Sequence, residues 1–139
     1  MLIGEKYHGM EFKDPASVAA VMAGILGSED ALDQDKEHFW TIGLDCKNYV
    51  KYIELCSLGI LNSAVVHARE VFRRAISHGV ANIIVCHNHP SGHASPSRED
   101  KEITTRLEQA GEILGIKLLD HIIISASGDF ISFKAIGLM

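Results

Sequence analysis

Hydrophobic and polar positions follow a helical period near the start of the chain. Apolar residues recur at intervals of three and four between Val18 and Leu26. Asp14 and Pro15 precede them, in the order of a helix N-cap and a first helical residue. Gly27 stands where a glycine ends many helices. The pattern predicts an amphipathic helix with one buried face, followed by a polar, acidic connection over residues 28–36.

The next segments have the composition and alternation of strands. EHFWTIGLD at 37–45 is rich in aromatic and β-branched residues, and YVKYIELCS at 49–57 alternates apolar with polar positions. A turn at 45–48 joins them, which predicts a β-hairpin. After a loop around Gly59, residues 67–78 are predicted to be helical up to Gly79. The continuous apolar run at 80–86 predicts a strand covered on both faces.

The second half of the chain continues this alternation of strands and helices. HNHPSGHASPS at 87–97 contains two of the three prolines and is predicted to be a loop. Ser97 begins a long amphipathic helix, and strands at 116–125 and 130–133 follow it. Interleaved strands and helices predict a layered α/β fold. At 139 residues, the chain is expected to form one domain over residues 1–139.

Composition and charge narrow the class of protein. Hydrophobic residues at 47% and charged residues at 22% indicate a globular chain with a buried core. A net charge of -5 disfavours binding to nucleic acid through many phosphate contacts. Three cysteines without a C-x-x-C pair, together with a charged N-terminal segment, favour a reduced, cytoplasmic protein. No apolar stretch approaches the roughly 18 residues of a membrane span, so none is expected.

Two histidines follow the buried strand at a spacing of two residues. Because side chains alternate between the faces of a strand, His87 and His89 are expected to point to the same side. Asp100 lies in the first turn of the next helix, and the intervening loop is long enough to bring its carboxylate to the same place. Two imidazoles and one carboxylate suit a catalytic Zn²⁺, with a fourth position left for water. The pattern therefore predicts a zinc site.

A water activated by a metal ion also needs a proton acceptor. Glu37, at the start of the first predicted strand, and Glu70, on the helix that leads to the histidine strand, are the two candidates. Ser97 and Asp100 have the spacing of a helix capping box, which requires no catalytic role. The same cap can also place the aspartate at the metal. The paired cysteines of nucleobase deaminases and the H-E-x-x-H helix of thermolysin-like proteases are missing from the sequence.

The combined pattern H-x-H-P-x(6)-S-x-x-D at 87–100 resembles the JAMM motif of the JAB/MPN metalloproteases, and within them the RadC-like branch. The runs HNHPSG at 87–92, PSRED at 96–100 and LLDHIII at 118–124 are similar to that branch. So are EHFWTIGLDCKN at 37–48 and LNSAVVHAREVF at 61–72. The resemblance covers about residues 15–138, which is nearly the whole chain.

This resemblance implies a three-layer α/β/α, cytidine-deaminase-like fold with a mixed sheet. It implies that His87, His89 and Asp100 bind Zn²⁺, that Glu37 rather than Glu70 is the general base, and that Ser97 donates a hydrogen bond to the developing oxyanion. The implied activity is that of a zinc-dependent metallopeptidase or isopeptidase, which cleaves an amide bond of a peptide or protein substrate.

Two alternatives to a hydrolase stay open at this point. One is a DNA-repair-associated accessory protein with a structural or vestigial metal site, and the other is a partner-binding module without turnover. Many full-length RadC-like proteins carry an N-terminal helix-hairpin-helix region, for which this length leaves no room, so a DNA role based on it is not expected. Binding to duplex DNA across a salt series tests the first alternative, and metal content tests the second.

The remaining polar residues are interpreted as structural. Cys86 is expected in the core, because it faces away from His87, and His93 is assigned no role. Cys56 and the apolar end IGLM at 136–139 serve either a homodimer or the core. Three arginines on one helix are predicted to form a solvated face, and three further histidines have no partner that the sequence reveals. These residues are Arg69, Arg73 and Arg74, and His67, His78 and His121.

Overall fold

A computed structural model of the chain describes residues 1–59 and 66–139. The strands are β1 (Leu2–Ile3), β2 (Glu37–Leu44), β3 (Val50–Gly59), β4 (Asn82–His89), β5 (Lys117–Ser125) and β6 (Phe130–Ser132). The helices are α1 (Pro15–Gly27), α2 (Ala31–Gln34), α3 (Ala68–His78) and α4 (Arg98–Leu114), with a 3-10 helix at Glu5–Tyr7. In these ranges the strands form one mixed sheet in the order β1-β3-β2-β4-β5-β6, in which β4 and β5 are parallel.

Helices cover both faces of the sheet. On one face, α1 packs through Met22 against strand residues such as Trp40. On the other face, α3 and α4 pack through Phe72 and Leu107 against strand residues such as Phe39. Trp40 and Phe39 are neighbours in β2, so they point to opposite faces as a strand requires. The predicted three-layer α/β/α fold with a mixed sheet is confirmed, and so is the hairpin of β2 and β3.

The prediction for β4 is wrong in its extent, with a consequence for the histidines. The predicted strand covers 80–86, whereas β4 runs from Asn82 to His89. Val80 still belongs to the helix end, because its N–H donates to the carbonyl of Ala75 at 3.1 Å. The strand continues past residue 86 because β5 pairs beside it as far as His89 and Ser125. Both histidines therefore lie on a paired strand and not in a loop.

The ends of α1 also differ in part from the prediction. Asp14 caps the helix as expected, and its Oδ1 accepts a hydrogen bond of 2.7 Å from the backbone N–H of Ser17. Gly27 is the last helical residue and not a left-handed cap, since Ser28 ends the helix in a right-handed conformation. The acidic connection that follows is not irregular throughout, because it contains the single turn of α2.

A close approach at Gly111 brings α4 against the start of β5. A Cβ at this position would lie 2.4 Å from the carbonyl oxygen of Ile116, so only glycine fits without movement of the backbone. In residues 1–59 and 66–139, no helix is long and apolar enough to cross a membrane. The first part of the run LNSAVVHAREVF, residues 61–65, lies outside the described residues.

Candidate metal centre

The carboxyl end of β4 presents two imidazoles on the face of the sheet covered by α3 and α4. His87 and His89 are two residues apart on this strand, and their Nε2 atoms are 3.0 Å from each other. His87 is almost fully buried, with 1% of its side chain exposed, whereas 16% of His89 is exposed. The Nδ1 of His89 lies 3.0 Å from the carbonyl oxygen of His93. The two rings therefore converge at the point where the buried strand reaches the surface.

The N-terminus of α4 brings a carboxylate to the same point. Ser97 is the N-cap of this helix, and its Oγ accepts a hydrogen bond of 3.1 Å from the backbone N–H of Asp100. In return, the backbone N–H of Ser97 donates to Asp100 Oδ2 at 2.8 Å. The predicted capping box is thus present. It orients the buried carboxylate so that Oδ1 lies 3.1 Å from His87 Nε2 and Oδ2 lies 3.1 Å from His89 Nε2.

The three groups have the spacing and chemistry of a metal-binding set. One ligand atom from each of His87, His89 and Asp100 lies within 4.8 Å of the others. A tetrahedral cation with ligand bonds of about 2.0–2.1 Å holds its donors about 3.3–3.4 Å apart. The observed separations of 3.0 and 3.1 Å are close to that value. The His-His-Asp group can therefore hold a small divalent cation with little rearrangement.

The electrostatics of the group favour an ionised carboxylate. Burial by itself would raise the pKa of Asp100, but hydrogen bonds from His87 and His89 hold that pKa well below its usual range. The hydrogen bond to Asp100 raises the pKa of His89 above its ordinary value, although partial burial opposes the shift. An ionised carboxylate beside two imidazoles is the protonation state that attracts a cation.

Glu37 lies on β2, next to the histidine strand. Phe39 pairs with His87 across the antiparallel strands, so Glu37, two residues earlier, is carried alongside His89 and onto the same face. A cleft of about 420 Å³ has Glu37, His89, Ser97 and Asp100 in its lining. The residues that line this cleft do not include Glu70, which is exposed on α3 beside Arg73.

A protein-family model described as the RadC-like JAB domain matches residues 12–138, which is most of the chain. This chain belongs to that family. A UPF0758 protein of Desulforamulus reducens is 52% identical over 111 residues, covering 80% of this chain and 48% of the relative. A UPF0758 protein of Clostridium kluyveri is 48% identical over 117 residues, covering 84% of this chain and 51% of the relative.

This RadC-like JAB chain spans about half the length of the curated relatives that it matches. In this JAB-type domain, the clustered His-His-Asp group is compatible with a metal site. The relatives' names do not describe a substrate or a partner.

Three residues that contact the site in this RadC-like JAB chain have no role predicted from the sequence. His121 on β5 lies behind His87, with its Nε2 2.7 Å from His87 Nδ1, and Thr104 on α4 contacts the other ring nitrogen of His121. Burial lowers the pKa of His121 well below its ordinary value, and the neighbouring His87 adds to this shift. Asn88 links β4 to the backbone around Glu37. For His121, the sequence offers one indication, which is a histidine inside the largely apolar run LLDHIII at 118–124.

The other polar residues are placed as follows. Cys86 is fully buried on the face away from His87, as predicted. The prediction of a solvated arginine face is wrong for Arg74, whose Nε lies 2.7 Å from the buried carboxylate of Glu54.

His67 is exposed at the start of α3, and the ring of His78 lies 5.1 Å from that of Tyr52. At the C-terminal end, Met139 packs against the core, while Ile136 and Leu138 remain exposed.

Proposed function

We propose that this RadC-like JAB domain is a zinc-dependent hydrolase that cleaves an amide bond, as a metallopeptidase or isopeptidase. The observation that carries the proposal is the convergence of His87, His89 and Asp100 at a cleft that Glu37 and Ser97 also line. Nitrogen and carboxylate ligands are those that Zn²⁺ takes in catalytic sites with three protein ligands.

In this proposal, His87, His89 and Asp100 hold the cation through two Nε2 atoms and one carboxylate oxygen. When bound, Zn²⁺ lowers the pKa of water and polarises a carbonyl group. The protein's part is to keep the three donors in place. Strand β4 holds His87 by pairing on both sides and His89 by pairing with β5, and the capping box holds Asp100. No donor has to move far before the site can bind the ion.

Glu37 is the proposed general base. It takes a proton from the attacking water and delivers it to the leaving amine nitrogen, which needs a carboxylate that faces the cleft from the side of His89. The cleft lining meets this requirement for Glu37 but not for Glu70. General-base residues typically contribute about 10² to 10⁴ in rate.

Ser97 is the proposed donor to the carbonyl oxygen of the substrate. Its Oγ already accepts one hydrogen bond from the backbone N–H of Asp100, which leaves the hydroxyl hydrogen to donate. Ser97 is exposed in the cleft, so the hydroxyl can face a substrate. Loss of a donor to a developing oxyanion typically costs about 10² to 10³ in rate.

The charge of the cleft supports a peptide or protein substrate over a nucleic acid. Three carboxylates, Glu37, Glu99 and Asp100, line it. The chain as a whole has a net charge of -5. A polyanionic backbone would be repelled by these groups, whereas the uncharged peptide backbone is not. The proposal therefore expects little affinity for duplex DNA.

The test combines zinc binding with hydrolysis. Protein stripped with EDTA is titrated with ZnCl₂ by calorimetry, and turnover is measured on a set of fluorogenic peptide and isopeptide amides. His87→Ala and Asp100→Ala are expected to abolish zinc binding. Glu37→Gln is expected to keep zinc affinity and to lower kcat by about 10² or more. Glu70→Gln is the matched control, and it is expected to keep zinc binding and turnover.

Two results would contradict the proposal. Wild-type protein that takes up no zinc would remove the metal centre. Full turnover in Glu37→Gln with loss of turnover in Glu70→Gln would transfer the base to the exposed carboxylate on α3.

A further inference from the structure

A buried chain of hydrogen bonds connects two of the metal ligands behind the site. His87 Nδ1 lies 2.7 Å from His121 Nε2, and His121 Nδ1 lies 2.6 Å from the hydroxyl of Thr104. The same hydroxyl lies 2.8 Å from the backbone carbonyl oxygen of Asp100. His87, His121 and Thr104 are all buried. The chain thus begins at one ligand and ends at the helical turn that carries another.

The direction of these hydrogen bonds follows from the Asp100 carbonyl, which can only accept. Thr104 has a single hydroxyl hydrogen, and it donates this hydrogen to the carbonyl four residues earlier, as threonines in helices often do. Its oxygen is then free to accept from His121 Nδ1. With a cation on His87 Nε2, the hydrogen of His87 would be on Nδ1 and would be donated to His121 Nε2, so all three hydrogen bonds would run in one direction.

Apolar rings hold His121 in place. It is fully buried, with the ring of Phe133 stacked at 4.5 Å and the ring of Phe39 edge-on at 6.1 Å. The His121 ring therefore has little room to turn away from His87.

We propose that His121 and Thr104 are positioning residues that hold the ring of His87 so that its Nε2 is directed at the cation. With the cation on Nε2, the one hydrogen of the neutral His87 ring would be on Nδ1 and would be donated to His121 Nε2. The proposal rests on the metal centre of the proposed function. It explains how the buried His87 can bind the cation without first turning its ring.

The second proposed histidine ligand, His89, also has a partner at its Nδ1, in this case a backbone carbonyl. His89 Nδ1 faces the carbonyl oxygen of His93 at 3.0 Å, and a carbonyl can only accept. With the cation on Nε2, His89 would donate its Nδ1 hydrogen to this carbonyl. The backbone carbonyl of His93 thus orients the partly exposed His89, as His121 orients the buried His87. Ligand histidines are commonly oriented by such partners, and removal of a partner typically weakens metal binding about 10- to 100-fold.

The first test is zinc affinity, measured by competition with a chromophoric chelator. Thr104→Val keeps the volume of the side chain and removes the hydroxyl, and we expect zinc to bind about 10-fold or more weakly. Thr105→Val is the matched control, because the Thr105 hydroxyl also donates to a carbonyl four residues earlier but on the exposed side of α4. His121→Leu should weaken binding about 10- to 100-fold, and His121→Gln, which retains an acceptor for His87, should recover part of the loss.

The second test reads the histidine rings of zinc-loaded wild-type protein by long-range ¹H–¹⁵N correlation spectra. The expected result is hydrogen on Nδ1 of both His87 and His121. Hydrogen on His121 Nε2 would overturn the proposal, because His121 could then not accept from His87, and so would unchanged zinc affinity in folded Thr104→Val. A wild-type protein that binds no zinc would instead overturn the proposed function.

Discussion

Asn88 Oδ1 accepts a hydrogen bond of 2.6 Å from the backbone N–H of His38, at the point where regular pairing between β2 and β4 ends. The Asn88 amide also donates to the carbonyl oxygen of Lys36 at 3.0 Å. One buried side chain thus bonds to the residues on both sides of Glu37. Asn88 points away from the metal donors, so it holds the proposed base without contacting the ion.

Asn88→Ala should lower the free energy of unfolding by about 1–3 kcal/mol, because it leaves the buried N–H of His38 without an acceptor. Zinc affinity should be retained, since His87, His89 and Asp100 are unchanged, whereas kcat should fall as Glu37 loses its fixed position. Urea unfolding and zinc titration measure the two effects. Asn82→Ala, at the other end of β4, is the control. An equal loss of zinc affinity and of kcat would contradict the assigned role.

The two capping boxes of the chain offer a matched comparison, since only one of them lies at the site. Ser97→Ala and Asp14→Ala should each lower the free energy of unfolding by about 0.5–2 kcal/mol, through loss of an N-cap. Only Ser97→Ala should also weaken zinc binding, because Ser97 holds the backbone N–H of Asp100. Thermal unfolding and zinc titration of both variants check this. Equal zinc affinity in the two variants would show that the cap does not orient Asp100.

The pKa of Asp100 predicts how metal-free protein responds to acid. Its pKa is below the ordinary value of 3.8 when the chain is folded, so the carboxylate stabilises the fold above that pH and this contribution is lost as the pH falls below it. Asp100→Asn removes the contribution. The difference in unfolding free energy between wild type and Asp100→Asn should therefore be larger near pH 6 than near pH 3, in urea titrations with EDTA present. Asp30→Asn, an exposed position, is the control. A difference that does not change with pH would be inconsistent with a lowered pKa.

The Glu54–Arg74 pair should contribute more to stability than the other arginines of α3. Glu54 is 2% exposed, and its carboxylate lies 2.7 Å from Arg74 Nε. Arg74→Ala leaves this buried charge without its close partner, and we expect a loss of about 3 kcal/mol, at the low end for buried pairs because Arg74 is partly exposed. Arg73→Ala removes an exposed pair with Glu70 and should cost about 0–1 kcal/mol. Chemical denaturation of both variants measures the contrast, and equal losses would contradict it.

Arg74 also shows why a surface prediction from sequence can be wrong. Its neighbours along the helix are charged, which indicated a solvated face, but β3 places Glu54 beneath it. Contacts between residues 20 positions apart depend on how the helix is laid on the sheet. The same limit applies to the strand that carries the histidines. Its apolar run ends at residue 86, and only pairing with β5 extends it to His89.

The spacing of residues along the chain was enough to determine the three metal-ligand candidates, because alternation along a strand and the cap of a helix are local geometry. His87 and His89 share a face for the first reason, and Asp100 is oriented by Ser97 for the second. The layered α/β architecture followed from local periods in the same way. Tertiary structure alone decided the strand order and the register, and with them the contacts of Asn88 with the strand of Glu37 and of His121 with His87. Those contacts join residues 34 to 52 positions apart, and no local preference of the chain encodes such a distance.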